Sequence, residues 1–202
     1  KYDLSTEPKS VQIGVRFEAP QHHFQKLIDV SYDFKLYQKF DEEGVSLRSF
    51  CTNNNAAYVA VEETYGDHSY NGHAKKDESF RNNMTNFGIL MEIKGIDDPF
   101  VWSRDAVKNL QILGEYAQYI VDFIEDMKKV FPSLKDDWGV YMPEVKYLSP
   151  EPLVDYTNLS LNSYPDVHFV GDALSARGIT VSGAQGTYVA EHLLKCLDTS
   201  NI

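Results

Sequence analysis

The chain has 202 residues and a formal net charge of −11, with 43% hydrophobic and 13% aromatic residues. This composition is that of a globular protein with a sizeable core, and it excludes a disordered chain. The acidic balance argues against nucleic acid and against an anionic membrane surface as partners, because both bind to basic faces.

Cysteine content and the first residues bear on location. Cys51 and Cys196 are too few for a disulfide framework, which predicts a reducing, cytoplasmic setting. No apolar segment of the sequence is long enough to span a bilayer, and the polar first ten residues indicate no signal peptide. The chain begins at Lys1 rather than at Met, which fits a processed fragment.

Strands dominate the first half of the chain. Alternating apolar and polar residues predict half-buried strands at 11–17 and 45–50, and apolar runs predict further strands at 57–61 and 87–93. Residues 21–35 indicate a short helix, and 53–55 indicate a turn between two strands. The polar stretch 65–86 predicts a loop.

A long helix is the clearest element of the second half. Ser103 is its expected N-cap, an apolar stripe runs from Ala106 to Met127, and Pro132 ends it. Residues 133–165 contain four prolines and are predicted to be irregular, as a return path from one domain to another.

The last quarter combines an apolar run with closely spaced glycines. Residues 167–170 predict a short buried strand, which Gly171 and Asp172 end with turn chemistry. Gly178 lets backbone approach a ligand closely, and a helix starting near Thr180 points N–H groups and a positive dipole end at the same place. An anion or an electron-rich carbonyl is favoured there.

The helix that starts near Thr180 is apolar on two sides. One stripe holds Val181, Ala184 and Tyr188. The opposite stripe holds Gly183, Gly186, Ala190, Leu193 and Leu197. Such a helix is expected to be buried on both sides.

The run 167–186 resembles the C-terminal flavin-binding motif of FAD-dependent dehydrogenases. The resemblance implies that the Asp172 carboxylate accepts a hydrogen bond from a ribityl or ribose hydroxyl of FAD. It implies further cofactor contacts from Gly171, Arg177, Gly178, Ile179 and Thr180. The GxGxxG motif of such enzymes is absent from this sequence, so we expect FAD in the intact protein and not in this chain alone. The alternative is an ordinary glycine-rich turn of an α/β sheet.

A second stretch is similar to a group of uncharacterised FAD-dependent dehydrogenases that use NAD and FAD. The similarity lies in residues 14–18, 48–51, 57–60, 70–73 and 86–90. In members of this group, a cysteine at the position of Cys51 is often followed by glycines and a second cysteine. In this chain Cys51 is followed by Thr-Asn-Asn-Asn at 52–55. A redox role for a cysteine pair is therefore not expected.

Other side chains have two interpretations each. Cys51 is expected to be buried and inert rather than a reactive thiol. His68, His73 and Asn71 either face a substrate or are solvated, and Arg48 either positions a carboxylate substrate or forms a salt bridge. His22 and His23 have no acidic or cysteine ligand at suitable spacing, so no metal is predicted.

These observations predict an α/β fold, mixed α+β in detail. Residues 1–145 are expected to form a substrate or cap domain on a mixed or antiparallel sheet, and 146–202 the closing strand and helix of a Rossmann-like FAD-binding domain. The leading hypothesis is the C-terminal portion of an FAD-dependent oxidoreductase, inactive by itself. The alternatives are a stand-alone binding module without cofactor and a flavin-free enzyme using Cys51. Expected partners are a small-molecule substrate, a nicotinamide nucleotide and a second copy of the chain.

Overall fold

The computed structural model describes residues 6–7, 9–40, 44–148, 150–174, 176 and 178–199. The chain divides into two compact units. The inserted unit is Ser10–Leu148, and the terminal unit contains the described residues before Ser10 and after Leu148. Arg177, one of the predicted cofactor contacts, lies outside the described residues.

The inserted unit consists of antiparallel strands with short helices. Its strands are β2 (Val11–Pro20), β3 (Tyr37–Phe40), β4 (Val45–Asn55), β5 (Ala57–Thr64), β6 (Asp67–Ala74), β7 (Met84–Ile93) and β8 (Gly139–Lys146). Its helices are α1 (Gln25–Ile28), α2 (Pro99–Lys108) and α3 (Ala117–Val130). Strands pair in the order β3-β4-β7-β2-β8, and β5 pairs with β6 in a separate hairpin.

One face of the five-stranded sheet carries the core. Alternate residues of each strand point to the same face, so that Val15 of β2 lies opposite Ile89 of β7 and both are buried. Helix α3 contributes Ile120, Ile124 and Met127 to the same apolar cluster. The opposite face carries polar side chains instead, including Arg16 of β2 and Glu144 of β8.

The terminal unit is smaller. It contains β1 (Thr6–Glu7), β9 (Glu151–Pro152), β10 (Val154–Asp155), β11 (Ser160–Leu161), β12 (Tyr164–His168) and α4 (Ile179–Thr199). β1 pairs with β9, and β10, β11 and β12 form an antiparallel sheet. Its buried apolar cluster is Val154, Leu159, Leu161, Leu174 and Val189.

The fold class is confirmed: helices combine with antiparallel sheets. The assignment of the units to substrate and flavin-binding domains stays a prediction. Among the described residues, no helix has both the length and the apolar character that crossing a bilayer requires.

The predicted long helix is two helices. Asp98, not Ser103, caps α2, because its side chain accepts a hydrogen bond from the Val101 N–H while Pro99 occupies the first turn. Ser103 lies inside α2 and donates to the Pro99 carbonyl. Asn109 has extended backbone angles and ends α2, so the apolar stripe continues in α3 after a 3₁₀ turn.

Two stretches predicted to be irregular contain strands. The loop expected at 65–86 includes β6, and the irregular path expected at 133–165 includes β8. β8 is an edge strand that pairs with β2, and the register of the pair shifts between Gly14 and Arg16 of β2. The edge position and the register shift accommodate Pro143. Residues 53–55 lie in β4 rather than in a separate turn, with Asn55 at a φ of +69° where the chain bends into β5.

The terminal unit also differs from expectation. The strand predicted at 167–170 is β12, which ends at His168 and is only partly buried. Helix α4 contacts its unit through a narrow stripe that includes Ser182, Gln185 and Val189. Both predicted apolar stripes are therefore largely exposed, because this small unit covers only one side of the helix.

Candidate functional site

The glycine-rich segment of the terminal unit folds back onto the start of α4. Gly171 and Gly178 have φ angles of +72° and +100°, which side chains with a Cβ rarely adopt. The Gly171 N–H donates to Oε1 of Gln185 at 2.7 Å, and Oγ of Ser182 donates to the Ala176 carbonyl at 2.8 Å. These bonds fasten the turn to the first two turns of the helix.

The groups of this segment that were predicted to contact a ligand are mostly exposed. Ile179, the first residue of α4, is 95% exposed, and Asp172, Gly178 and Thr180 are exposed as well. A Cβ built on Gly178 would meet no described atom within 4 Å, so open space lies beside its backbone. Lys9 adds a cation, since its Nζ donates to the Asp172 carbonyl at 3.4 Å.

Four of the predicted residues, Asp172, Gly178, Ile179 and Thr180, are thus exposed on one short segment, whereas Gly171 at its start is buried. The anchoring role of Ser182 and Gln185 was not predicted. Their spacing of three residues, which places two polar side chains on one helical face, is the signal that sequence reasoning missed.

A second candidate site lies in the inserted unit. We name it the arginine cluster: Arg16, Asn71, Asn86 and Glu144. The Arg16 side chain is fully buried, and its Nη2 donates to Glu144 Oε1 at 2.7 Å and to Asn71 Oδ1 at 3.1 Å. Its Nη1 donates to Asn86 Oδ1 at 3.3 Å and to the carbonyl of Cys51 at 3.0 Å.

The electrostatics of the cluster are unusual for a protein interior. Burial raises the pKa of Glu144, while Arg16 and then Lys146 oppose that rise through their positive charges. Three polar atoms, Nε of Arg16, Nδ2 of Asn86 and Oε2 of Glu144, are buried without a hydrogen-bond partner among the described residues. Buried groups of this kind are costly to retain, which marks the cluster as a candidate site rather than ordinary core.

Asn71 links the cluster to a half-exposed acid and base. Its Nδ2 donates to Glu62 Oε2 at 2.9 Å, and Glu62 Oε1 lies 2.9 Å from His73 Nε2. The hydrogen bond from Asn71 lowers the pKa of Glu62, and His73 lowers it further. Glu62 and His73 are each about two-fifths exposed, so this pair is accessible from the surface.

The expectation of a buried Cys51 is wrong. Cys51 is exposed and has a φ of +50° at the irregularity in β4, while Arg16 and Asn53 hold its carbonyl. The backbone rises out of the sheet there, which turns the thiol outward. Cys196 is also exposed, with its Sγ 3.7 Å from His192 Nε2.

Three cations surround one aromatic ring beside the cluster. Lys35, Arg48 and Lys146 lie 5.5, 5.4 and 5.2 Å from the centre of the Phe50 ring. We name these four residues the Phe50 patch. Arg48 also donates to Gln12 Oε1 at 3.5 Å. An aromatic face with several cations suits a planar anionic ligand.

The structure brings Asn71 and the Cys51 carbonyl together at Arg16, and it links His73 to Asn71 through Glu62. It does not bring His68 to them, because that side chain is exposed beside Glu63 at 3.7 Å. Arg16 and Glu144 were not predicted as site residues. Arg16 occupies a polar position in the alternating pattern of a strand. Such a position is normally expected to face solvent.

Comparison with models of known protein families and with curated proteins finds no match to this chain.

Proposed function

We propose that this chain is the C-terminal portion of a cytoplasmic FAD-dependent oxidoreductase. In the intact enzyme, residues 171–180 contact the flavin nucleotide and the inserted unit binds the substrate. The proposal rests on the resemblance of residues 167–186 to a flavin-binding motif, together with the exposed backbone at the start of α4.

That exposed backbone is the observation that carries the proposal. Gly171 and Gly178 both adopt positive φ, the turn is fixed to α4, and the backbone beside Gly178 is open. The start of a long helix offers N–H groups and positive potential to an anion. Glycine adopts these angles without strain, and a Cβ on Gly178 would meet no described atom within 4 Å.

The donor set fits one end of FAD. N–H groups of residues 178–180 suit the pyrophosphate or a flavin carbonyl, and the exposed Asp172 carboxylate suits a ribityl or ribose hydroxyl. FAD, when bound, accepts and delivers the hydride, and the protein residues bind and orient it. The adenosine contacts come from a GxGxxG segment that this sequence lacks.

The test uses the intact protein, expressed with its upstream coding sequence. Asp172→Ala removes the proposed hydroxyl contact, and a hydrogen bond to a charged group contributes about 1.5–3 kcal/mol. FAD should therefore bind roughly tenfold to hundredfold more weakly. Flavin content after extensive dialysis measures this loss.

Asp166→Ala is the matched control, because Asp166 is an exposed aspartate of β12 in the same unit. It should leave flavin content unchanged. Equal flavin content in Asp172→Ala and wild type would remove Asp172 from the site.

The second candidate function is a binding module without cofactor, and the Phe50 patch favours it. Lys35, Arg48 and Lys146 place three cations beside an aromatic ring. A carboxylate oxygen of Asp33 lies 2.7 Å from Lys35 Nζ, and one of Glu144 lies 3.6 Å from Lys146 Nζ. A nicotinamide nucleotide has planar rings, which an aromatic side chain can stack on, and anionic phosphate groups, which neighbouring cations can bind. On this hypothesis the chain alone binds NADH.

Titration of the chain with NADH, followed by nucleotide fluorescence, tests the second candidate. Arg48→Gln should weaken binding about tenfold or more, since a charge-assisted contact is lost. Lys75→Gln is the control, because Lys75 lies over the rings of Tyr58 and Phe80 and not over Phe50. Equal effects of the two substitutions would contradict a specific site at Phe50.

A further inference from the structure

Two histidines and an aspartate meet at the end of β2. His22 and His23 form part of the 3₁₀ turn Gln21–His23 that follows β2, and Asp137 lies in the segment between α3 and β8. One ligand atom from each of the three residues lies within 4.8 Å of the other two. Asp137 is more than a hundred residues away in sequence, so the pair His22-His23 gave no sign of a third ligand.

His23 is held in place at both ring nitrogens. The residue is 7% exposed, its Nε2 lies 2.8 Å from Asp137 Oδ2, and its Nδ1 lies 2.9 Å from Ser133 Oγ. Ser133 Oγ can accept a hydrogen bond from the Nδ1–H, and in that tautomer the Nε2 lone pair is directed at the Asp137 side. Metal-binding histidines are commonly oriented by such a partner on the second nitrogen.

The donor set defines the class of metal. Two imidazoles and one carboxylate are a ligand set that zinc takes when one coordination position stays open for water or substrate. Bonds of about 2.0–2.2 Å in a tetrahedral site separate the donors by roughly 3.4 Å. Here His23 Nε2 lies 2.8 Å from Asp137 Oδ2, and all three ligand atoms lie within 4.8 Å of one another. His22 and Asp137 are exposed.

We propose that His22, His23 and Asp137 bind a divalent transition metal of the zinc class, with Ser133 as the positioning residue for His23. The competing explanation is that His23 only ties the segment 133–137 to the end of β2 through its two hydrogen bonds. The two explanations differ over His22, which takes part in neither hydrogen bond.

The experiment is calorimetric titration of the chelator-treated chain with zinc chloride. The Cys196→Ser background is used throughout, because Cys196 and His192 lie 3.7 Å apart and offer zinc another place to bind. The proposal predicts one zinc per chain at micromolar concentration. His22→Gln and Asp137→Ala should each weaken binding about tenfold or more, and Ser133→Ala about tenfold.

His68→Gln is the control for loss of an exposed histidine, and it should bind zinc like the background protein. Circular dichroism checks that each variant is folded; His22 is exposed, so its replacement leaves the core untouched. The proposal is overturned if the folded background protein binds no zinc at micromolar concentration. It is also overturned if His22→Gln binds as tightly as His68→Gln.

Discussion

Gly72 touches the arginine cluster with no room for a side chain. A Cβ at this position would come within 2.6 Å of Arg16 Nη1 and would also collide with Asn86. Both neighbours are fully buried and engaged in hydrogen bonds, so neither can move freely. In the sequence, Asn71-Gly72 is typical of a turn. In the structure Gly72 lies within β6, where the missing side chain lets the strand lie close to Arg16 and Asn86.

Gly72→Ala should therefore destabilise the protein by about 1–3 kcal/mol, as overpacking of a filled interior does. Urea unfolding followed by fluorescence measures the change. Gly139→Ala is the matched control, because a Cβ on Gly139 meets no described atom within 4 Å. If the two substitutions changed the unfolding midpoint equally, the tight contact around Gly72 would not exist in solution.

Sequence reasoning at the residue scale found the exposed chemistry better than the buried chemistry. Asn71 and His73 were identified as candidate side chains, and both belong to the hydrogen-bond chain that leads to Arg16. Arg16 and Glu144 were not, because a charged residue in a strand is normally solvent-facing. Their burial follows only from the β5–β6 hairpin over that face, which local pattern cannot reveal.

At the scale of elements, Asp67 joins β6 to α2. Its side chain is 4% exposed, and Arg104 Nε donates to Oδ2 at 2.6 Å. The hydrogen bond from Arg104 lowers the pKa of Asp67 below its ordinary value of 3.8. A carboxyl with a lowered folded-state pKa stabilises the fold above its unfolded-state pKa, and that stability is lost as pH falls through the folded-state value.

With Asp67→Asn, the free energy of unfolding should therefore decrease less steeply as the pH is lowered. The free energy of unfolding of wild type is expected to fall more steeply below pH 3.8 than that of the variant. Urea unfolding at a series of pH values measures both curves. Asp97→Asn, at an exposed aspartate in the segment between β7 and α2, is the control. Parallel wild-type and Asp67→Asn curves in acid would show that the Arg104 bond contributes nothing.

Helix α4 presents apolar side chains to solvent. Leu194 and Leu197 are 61% and 62% exposed, and Val181 and Tyr188 are about half exposed. The sequence pattern predicted this apolar helix correctly. It also predicted that both apolar stripes are buried, whereas both are largely exposed. Cover depends on how much protein surrounds the helix, which a periodic pattern does not encode.

We expect the chain to hide this surface by forming a dimer. Leu194→Glu combined with Leu197→Glu should shift the chain to monomer in light scattering and reduce binding of a hydrophobic dye. Val121→Glu, at an exposed apolar position of α3, is the control. A wild-type chain that is a clean monomer and binds no dye would contradict the expected association.

At the scale of the whole molecule, the path of the chain was only partly predictable. Apolar alternation predicted β2 and β4, and an apolar run predicted β7; these are the central strands of the large sheet. It missed β6 and β8, because β6 is polar where it covers the arginine cluster and β8 contains Pro143 at an edge. The pairing of β1 with β9, which makes the larger unit an insertion, joins residues far apart in sequence.

This organisation leads to a prediction about the chain by itself. Its proposed flavin contacts come from the single segment 171–180, without a GxGxxG segment. We therefore expect the chain alone to bind FAD with a dissociation constant weaker than about 1 μM, or roughly −8 kcal/mol. Equilibrium dialysis with FAD measures it. Tighter binding would mean that the chain holds a complete site.

The most direct test of the proposed function is the visible absorption spectrum of the protein purified with its upstream coding sequence. We predict the two absorption bands of oxidised flavin at close to one FAD per chain, bleached by a hydride donor such as NADH or the substrate. A folded, colourless protein that takes up no FAD on dialysis would contradict the proposed function.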